Sequence, residues 1–307
     1  MNDYNLKSIK KEFKAKGIFY TTNEIALLMK SFIDIEVNEV YDPTCGNGSL
    51  LSVFDDDVKK YGQEINNHQL EEAKNRLKNF YGYCGDTLKD PAFNDKKFKC
   101  IVANPPFSIA WEPPIFNGLF IDDRFKNAPA LPPKSKADYA FILHIIHYLA
   151  SDGIAVVLNF PGILYRGNKE GEIRRWLIEN NFIDKIIRIP RKTFVDTSIE
   201  TALIIFKKNK TTTDVTFIDY EKDKSYVASF EEIKRNDFVL STNSFIKEEV
   251  IKVKHDPKEL QINSRESMIK KIKADIEFDK MVCELEGYDF NEYLDSLQNV
   301  VSSFYKT

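Results

Sequence analysis

The chain contains little cysteine, and its cysteines are not arranged for metal binding or disulfide pairing. No C-x-x-C pair occurs among the four in its 307 residues. Three of them lie in or beside predicted strands, where buried thiols are common. The four are Cys45, Cys84, Cys100 and Cys283. The sequence therefore predicts no metal site and favours a reducing compartment.

A long apolar segment is also missing. The longest apolar stretch, residues 139–150, includes His144 and His147 and is too short to span a bilayer. We interpret both histidines as helix residues in or beside the core. Residues 1–17 are polar and lysine-rich without an apolar centre, so no signal peptide is expected. These absences predict a cytoplasmic protein that does not interact with a membrane.

A large excess of charge of either sign is lacking as well. The formal net charge is −3, with 43% hydrophobic and 30% charged residues, which is ordinary for a globular chain. The length suits one large domain with an appendage. Binding to a polyanion would therefore need a local basic face. Residues 165–210, with 11 Lys/Arg against 6 Asp/Glu, are the candidate, although a solvated surface is the alternative for each of them.

The most informative motif that is present is Asn104-Pro105-Pro106-Phe107, which follows an apolar run that predicts a buried strand. The Asn104 side-chain oxygen and the Pro105 carbonyl can each accept one N–H of a planar amino group, which frees the nitrogen lone pair for methylation. Proline fixes φ and holds these acceptors in one geometry. Phe107 can stack on a base, a contact worth roughly 1–3 kcal/mol. A simple proline turn remains the alternative for these four residues alone.

A glycine-containing turn lies upstream, with the sequence Asp42-Pro43-Thr44-Cys45-Gly46-Asn47-Gly48-Ser49. Gly46 and Gly48 allow the backbone to approach a ligand closely. The turn matches neither the dinucleotide fingerprint nor the phosphate loop, and no lysine follows it, which argues against a triphosphate. A carboxylate at position 42 instead favours a cationic ligand, such as a methionine amino group beside a sulfonium.

Acidic residues follow at regular intervals at the ends of predicted strands. Glu64 comes 22 residues after Asp42, Asp86 comes 22 residues after Glu64, and Asn104 comes 18 residues later. An acid about 20 residues after such a turn commonly bonds ribose hydroxyls. Ile65 can cover an adenine face, and Asp86 can accept from the adenine amino group. Each acid alone is more often a surface charge or a helix cap, but the ordered set predicts one ligand-binding sheet edge.

These motifs resemble those of DNA adenine-N6 methyltransferases that use S-adenosylmethionine. Residues 17–22 resemble the family's N-terminal cofactor-contact motif, and the order of the motifs is that of the γ class. Segments downstream resemble the modification subunit of type I restriction–modification systems, so that the resemblance covers roughly residues 17–250. These segments are residues 137–144, 152–157, 161–167, 172–177, 187–190 and 236–241. The chain has Thr22 or Asn23 where the family usually has proline, and Asn47 where it usually has threonine or serine.

The resemblance implies the site residues and S-adenosyl-L-methionine as the cofactor. The implied catalytic residues are Asn104, Pro105, Pro106 and Phe107. The implied cofactor-binding residues are Phe19, Tyr20, Thr21, Asp42, Pro43, Thr44, Cys45, Gly46, Gly48, Ser49, Glu64, Ile65, Asp86, Thr87 and Asn104. Only 16 residues precede Gly17, so we expect a compact version without the family's helical N-terminal domain.

Alternating strands and helices, together with the resemblance, imply an α/β, Rossmann-like, seven-stranded methyltransferase fold with a small C-terminal accessory region ending in a helical hairpin. Three further strands are predicted near 154–159, 183–189 and 202–207, with the last antiparallel on resemblance alone. The expected units are a helical extension over 1–16, the methyltransferase domain over 17–210, an accessory unit over 211–262 and the hairpin over 263–307. The first helix of the hairpin is expected to start at Ser264.

The predicted function is methyl transfer from S-adenosylmethionine to adenine N6 of double-stranded DNA, with the base flipped from the duplex. The chain has no large segment for reading DNA sequence, which predicts a separate specificity subunit, bound through the C-terminal helices, and a restriction subunit as a further candidate partner. A hairpin that packs on its own domain is the alternative. Residues 108–136, aromatic and proline-rich, are either a lid or target-base loop, or a segment held down by its aromatic residues.

Other functions remain open at this stage. Similar motifs occur in enzymes that methylate RNA amines or a protein amide, although Phe107 and the downstream segments favour DNA. A catalytically silent cofactor-binding module is a further alternative, and the intact Asn104, Pro105 and Phe107 argue against it. No Pro-Cys dipeptide occurs, which argues against a cytosine-C5 methyltransferase.

Overall fold

The fold is built around one large sheet. The computed structural model describes residues 21–113, 115–116, 119–120, 122–190, 200–247 and 256–304. The predicted extension over 1–16, together with Phe19 and Tyr20, lies outside these residues. The strands are β1 (Glu39–Asp42), β2 (Lys59–Glu64), β3 (Phe80–Cys84), β4 (Phe98–Ala103), β5 (Ile115–Phe116), β6 (Leu119–Phe120), β7 (Leu149–Asn159), β8 (Ile183–Ile189), β9 (Thr201–Lys207), β10 (Val215–Asp219) and β11 (Lys224–Ala228).

Nine of these strands form the sheet, in the order β11-β10-β8-β9-β7-β4-β1-β2-β3. Strands β3, β2, β1, β4 and β7 are mutually parallel, and β9 pairs antiparallel with both β7 and β8. The α/β fold and all seven predicted strands are confirmed, including the antiparallel one. Two more strands, β10 and β11, extend the same sheet beyond β8, so residues 215–228 continue the sheet that the sequence assigned to residues 17–210. The proposed division into units stays a prediction.

Helices cover both faces of the sheet. They are α1 (Asn23–Ser31), α2 (Asn67–Arg76), α3 (Asp138–Tyr148), α4 (Asn168–Glu179), α5 (Phe230–Arg235) and α6 (Thr242–Phe245), with 3-10 turns at Leu51–Val53 and Pro161–Leu164. Thr22 caps α1 by accepting from the Ile25 amide, as the sequence predicted.

Side chains that alternate along the central strands enter two separate hydrophobic clusters. Val40 joins the cluster that contains α1 and α2 residues, whereas its neighbour Tyr41 joins the one that contains α3 and α4 residues. Cys100 and Ile101 divide in the same way. Both faces of the sheet are therefore buried, which leaves the ends of the strands as the place for a site.

The segment after β4 packs closely against the sheet domain. Trp111 and Phe125 are buried, with ring centroids 5.4 Å apart, and the Trp111 indole donates to the Pro133 carbonyl at 3.0 Å. Strands β5 and β6 form a short antiparallel pair within it. Trp111 and Phe125 thus hold part of the segment down, while a lid or target-base role for residues 108–136 stays a prediction.

Residues 256–304 belong to a second compact unit. It contains α7 (Pro257–Glu286) and α8 (Phe290–Ser303), which confirms a helical pair. The predicted start at Ser264 is wrong, because Asp256 caps α7 by accepting from the Lys258 amide and Pro257 takes the first helical position, where its missing N–H costs nothing. Across the described ranges, no helix combines the length with the apolar character needed to cross a membrane.

Candidate active site

A cavity of about 500 Å³ lies at the carboxyl ends of β1, β2, β3 and β4. This is the edge where ligands bind in open parallel sheets, and the volume suits a small organic molecule. The lining residues are Pro43, Thr44, Gln63, Glu64, Ile65, Gly85, Asp86, Thr87, Leu88, Lys89, Asn104, Pro106, Ile109, Ala110, Trp111, Glu112 and Phe141. Eight of the implied site residues thus share one cavity.

Asp42 is the most buried acid of the site, at 1% exposure. Its Oδ1 accepts from the backbone amide of Thr44 at 2.9 Å and from the Thr44 hydroxyl at 3.4 Å. Burial raises the Asp42 pKa to about 7, and the Glu64 charge adds to this rise, while the bonds from Thr44 oppose it. Asp42 therefore braces the turn, and its neighbours Pro43 and Thr44 form the cavity wall.

This burial makes the stability of the protein depend on pH. Between the ordinary pKa of 3.8 and about 7, the folded protein keeps a proton that the unfolded chain has lost. Protonated Asp42 therefore contributes its full stabilisation below pH 3.8, the pKa in the unfolded chain. This contribution is lost as the pH rises to about 7, the pKa in the folded protein. From pH 5 to pH 8, wild type should lose about 2–3 kcal/mol of unfolding free energy relative to Asp42→Asn. Urea denaturation of both proteins at the two pH values measures this, and equal changes in the two would contradict it.

The glycines of the turn have different reasons to be glycine. Gly46 and Gly48 have φ of +53° and +78°, a region that other residues rarely adopt. A Cβ on Gly48 would lie 2.7 Å from Leu77 Cδ1 and 3.2 Å from Ala73 Cβ, whereas one on Gly46 would meet nothing closer than 4.0 Å. Gly48 therefore also permits the close packing of the turn on α2.

This contrast predicts unequal effects of the same substitution. Gly46→Ala should cost about 1–2 kcal/mol of unfolding free energy because of its φ alone. Gly48→Ala should cost about 1–3 kcal/mol more, because it also overpacks against Leu77 and Ala73. Urea denaturation of the pair provides the matched comparison. Equal losses of unfolding free energy in the two variants would show that Leu77 and Ala73 can move to accommodate the added methyl group.

Glu64 connects the turn to the end of β2. Its Oε2 accepts from the Gly46 amide at 2.9 Å, and its Oε1 accepts from the Asn66 amide at 2.9 Å. Ile65, next to it, is 68% exposed and lines the cavity. Each carboxylate oxygen has capacity for a further donor, so Glu64 can accept from a ligand hydroxyl while holding the turn.

The loop after β3 is fixed to the same turn. The Thr87 hydroxyl donates a short hydrogen bond to the Pro43 carbonyl, and Asp86 Oδ1 accepts from the Leu88 amide at 2.9 Å. Asp86 and Thr87 both line the cavity, as the sequence implied. Cys45, in contrast, is buried beneath the turn, and burial raises the pKa of its thiol. Cys45, Gly46, Gly48 and Ser49 thus shape the turn without lining the cavity.

Asn104 lies at the end of β4 and lines the cavity together with Pro106. Its side-chain Nδ2 donates to the Thr21 hydroxyl at 3.0 Å, which makes Oδ1 the acceptor end of the amide. Asn104, implied for both catalysis and cofactor binding, is therefore in direct contact with Thr21, implied for cofactor binding. Phe107 is only 8% exposed and packs in the hydrophobic cluster of α1 and α2. Its role in base stacking stays a prediction.

The sequence did not predict a charged network that adjoins the Asn104–Phe107 motif. Ser108, at φ +54°, donates from its amide to Asp138 Oδ1 at 3.0 Å. Arg166 donates to Asp138 Oδ2 at 3.3 Å, to Glu170 Oε1 at 3.3 Å and to the Ser108 hydroxyl at 3.1 Å. The Asp138 side chain is fully buried. This network joins the residue after Phe107 to α3 and α4.

The basic region of residues 165–210 is mostly paired internally. Arg174 is buried and donates to three backbone carbonyls, and Arg188 bonds Asp219 and Glu200. Arg166 belongs to the network described above, and Arg175 pairs with Glu179. A role in a phosphate-binding face is therefore wrong for the buried Arg174, and it stays a prediction for the partly exposed Arg166 and Arg188. Arg191 and Lys192 lie outside the described residues.

The residues of the cavity suit a cationic adenosine derivative such as S-adenosylmethionine. Glu64 and Asp86 supply acceptors for hydroxyl and amino groups, while Ile65, Leu88, Ile109 and Trp111 supply apolar surface. Among the described residues that line it, Lys89 is the one basic side chain, and it pairs with Glu112 at 2.9 Å. A triphosphate would find no cationic cradle there.

Comparison with known proteins agrees with these features. A family model described as N-6 DNA Methylase matches residues 2–226. The chain is 38% identical over 238 residues to the type I restriction enzyme MpnII methylase subunit of Mycoplasma pneumoniae, covering 67% of this chain and 43% of the relative. It is 30% identical over 218 residues to the MjaIX methylase subunit of Methanocaldococcus jannaschii, covering 65% and 38%. The chain thus spans less than half the length of these two relatives.

A solved structure supports the same relationship. The type I restriction–modification methyltransferase subunit from Streptococcus thermophilus matches with a TM-score of 0.68 at 34% identity, over 75% of this chain and 59% of that one. The similarity therefore extends from the sequence motifs to the arrangement of the sheet.

Proposed function

This chain belongs to the N-6 DNA methylase family, and on that premise we propose that it methylates the N6 amino group of adenine in double-stranded DNA with S-adenosylmethionine. The observation that carries the proposal is the single cavity shared by the ends of four parallel strands. There, Asn104 and Pro106 line the same space as Glu64 and Asp86. The residues proposed for the amino group thus lie beside those proposed for the adenosine.

In this proposal the end of β4 binds the base. The Asn104 side-chain oxygen and the Pro105 carbonyl accept the two N–H groups of N6, which draws the nitrogen toward tetrahedral geometry and exposes its lone pair. Thr21 orients the Asn104 amide by accepting from Nδ2. The two prolines keep the acceptors rigid because φ is fixed. A DNA base reaches such a pocket only when flipped from the duplex.

The ends of β1, β2 and β3 hold the cofactor. When bound, S-adenosylmethionine supplies an electrophilic methyl group on its sulfonium. Glu64 accepts from the ribose hydroxyls, Ile65 covers one adenine face, and Asp86 accepts from the adenine amino group. The turn of residues 42–48 brings backbone groups close to the methionine part, and Asp42 stabilises that turn.

Methyl transfer to DNA tests the proposal. We would incubate the purified chain with labelled S-adenosylmethionine and unmethylated genomic DNA, and measure N6-methyladenine by mass spectrometry. RNA and protein fractions serve as competing substrates. Methylation of DNA adenine supports the proposal. Label in RNA or protein alone, or none when a specificity subunit is added, would refute it.

We also propose that a specificity subunit binds the C-terminal helices and selects the DNA sequence, with the complex acting in the cytoplasm. The relatives carry names of type I methylase subunits. Helices α7 and α8 support this with large exposed apolar side chains. These include Leu260, Met268, Ile269, Ile272, Phe278, Met281, Leu285, Val300 and Val301.

Introducing charged side chains into this apolar surface tests the interaction. The double substitution Ile269→Lys and Ile272→Lys should abolish co-purification with a co-expressed specificity subunit, because binding would bury the added charges. Helicity measured by circular dichroism should stay unchanged, since both side chains are exposed. Lys270→Glu, on the same helix, is the matched control and should retain binding. Retained binding by the double variant would exclude this surface.

A further inference from the structure

Arg124 is a buried charge that neither the sequence motifs nor the proposed reaction uses. Its side chain is 4% exposed, and its partner Asp122 is 15% exposed. Nε donates to Asp122 Oδ1 at 2.9 Å and Nη2 to Asp122 Oδ2 at 2.5 Å. A buried guanidinium requires such pairing, but the pairing with Asp122 accounts for only part of its donors.

The remaining donors reach the wall of the cavity. Nη1 donates to the Thr87 carbonyl at 2.7 Å, and Nη2 donates to the Leu88 carbonyl at 2.6 Å. Nη1 also lies 3.0 Å from His144 Nδ1. Arginine has five N–H groups in a fixed fork, and here all five have acceptors.

His144 completes the buried arrangement. Arginine can only donate, so Nδ1 must be the acceptor and Nε2 carries the hydrogen that it donates to the Tyr41 hydroxyl at 3.0 Å. Burial, together with the Arg124 charge, lowers the His144 pKa well below its usual value, which keeps this tautomer neutral. The guanidinium is thus fixed from Asp122 on one side and from His144 in α3 on the other.

One peptide unit connects Arg124 to the cavity. The Thr87 carbonyl that accepts from Arg124 belongs to the same planar peptide as the Leu88 N–H. That N–H donates to Asp86 Oδ1 at 2.9 Å, and Asp86 lines the cavity. Fixing the oxygen of this peptide therefore fixes the direction of the N–H that orients the Asp86 carboxylate.

We propose that Arg124 is a positioning residue that sets, through the Thr87–Leu88 peptide, how well the cavity discriminates an adenine amino group from a carbonyl at the same ring position. The proposal rests on the proposed function in that an adenosine derivative binds this cavity with its amino group on Asp86. Residues 122–124, in the segment that follows Phe107, would then support the cofactor site through the Thr87 and Leu88 carbonyls.

Titration calorimetry with two ligands tests it without DNA or methyl transfer. S-adenosylhomocysteine carries the amino group, and S-inosylhomocysteine carries an oxygen in its place. Wild type should prefer the adenosine ligand by about tenfold or more, the range of a hydrogen bond to a charged group. Arg124→Lys has too few donors for the acceptors, so its preference should fall to about threefold or less, mainly through weaker binding of the adenosine ligand.

Controls separate positioning from general damage. Lys126→Gln, two residues along and paired with Asp123 on the surface, should keep the wild-type preference. In an Asp86→Ala background, Arg124→Lys should change the ratio no further, because the two residues act in series. If Arg124→Lys does not fold, judged by thermal unfolding, Asp122→Asn provides the test and should lower the preference in the same direction.

The outcomes are distinct. A folded Arg124→Lys that keeps the full preference, or loses affinity for both ligands equally, overturns the inference. Wild type that binds neither ligand overturns it as well. If wild type prefers the adenosine ligand but never methylates DNA, only the proposed function is contradicted. The role of Arg124 is then still decided by the binding ratios of its variants.

Discussion

Replacing Asn104 with alanine is expected to lower the rate of methyl transfer to DNA by about 100- to 1,000-fold, the usual cost of removing one oriented polar group that acts on the transition state. Affinity for the cofactor should stay within about threefold, because Glu64 and Asp86 remain in place. The two effects should separate because Asn104 follows β4, whereas Glu64 ends β2 and Asp86 follows β3. Single-turnover rates and calorimetry measure the two quantities.

The matched control is Asn243→Ala. Asn243 is an exposed asparagine in α6, so its substitution should leave both quantities unchanged. Thr21→Val should give an intermediate rate, because Asn104 keeps its oxygen but loses the hydroxyl that orients it. A normal rate for Asn104→Ala would show that the end of β4 takes no part in methyl transfer. A loss of cofactor affinity as large as the loss of rate would mean that Asn104 belongs to the cofactor site instead.

Asp138→Ala is expected to have the largest effect on folding, with a loss of about 3–5 kcal/mol in the free energy of unfolding, as when one partner of a buried ion pair is removed. The Ser108 amide and Arg166 lose the carboxylate that they share, although Arg166 keeps Glu170. Ser108 follows the catalytic motif directly, so methyl transfer should also slow in protein that remains folded. Urea denaturation and rates below the unfolding transition test both effects.

A surface aspartate provides the comparison. Asp123→Ala removes an exposed pair with Lys126 and should change stability by no more than about 0.5 kcal/mol. Asp138→Asn keeps the shape and one acceptor, so its loss should lie between the two. If Asp138→Ala and Asp123→Ala were equally stable, the network would contribute nothing to the fold, and Ser108 would have to be held by other contacts.

The sequence was sufficient for the features that depend on neighbouring residues. Apolar residues followed by Asp-Pro or by Asn-Pro-Pro located the strand ends near Asp42 and Asn104, because turn chemistry is a local signal. The end at Glu64 was located by its spacing of 22 residues from Asp42. The ordinary spacing of βα units then brought these ends to one edge. The helix cap at Thr22 belongs to the same class of signal.

The sequence was not sufficient where distant residues meet. Nothing near Arg124 indicates that it reaches the carbonyls of Thr87 and Leu88, and nothing near Asp138 indicates Ser108. Arg174 illustrates the opposite error, since its count as surface charge ignored three buried carbonyls that it satisfies. The start of α7 was a local signal that was missed, because Asp256-Pro257 is a typical helix beginning.

The position of β9 has a consequence for synthesis of the chain. β9 lies between β7 and β8, although both precede it, and the other neighbour of β8, the strand β10, follows later still. A growing chain that has emerged only as far as residue 190 therefore leaves the backbone N–H and C=O groups of β7 and β8 without the partners that β9 later supplies. Such late, non-local pairing slows folding and leaves edges open to aggregation. The gap between β7 and β8 can be filled only after residues 201–207 have left the ribosome, and the outer edge of β8 gains its partner only after residues 215–219 have followed.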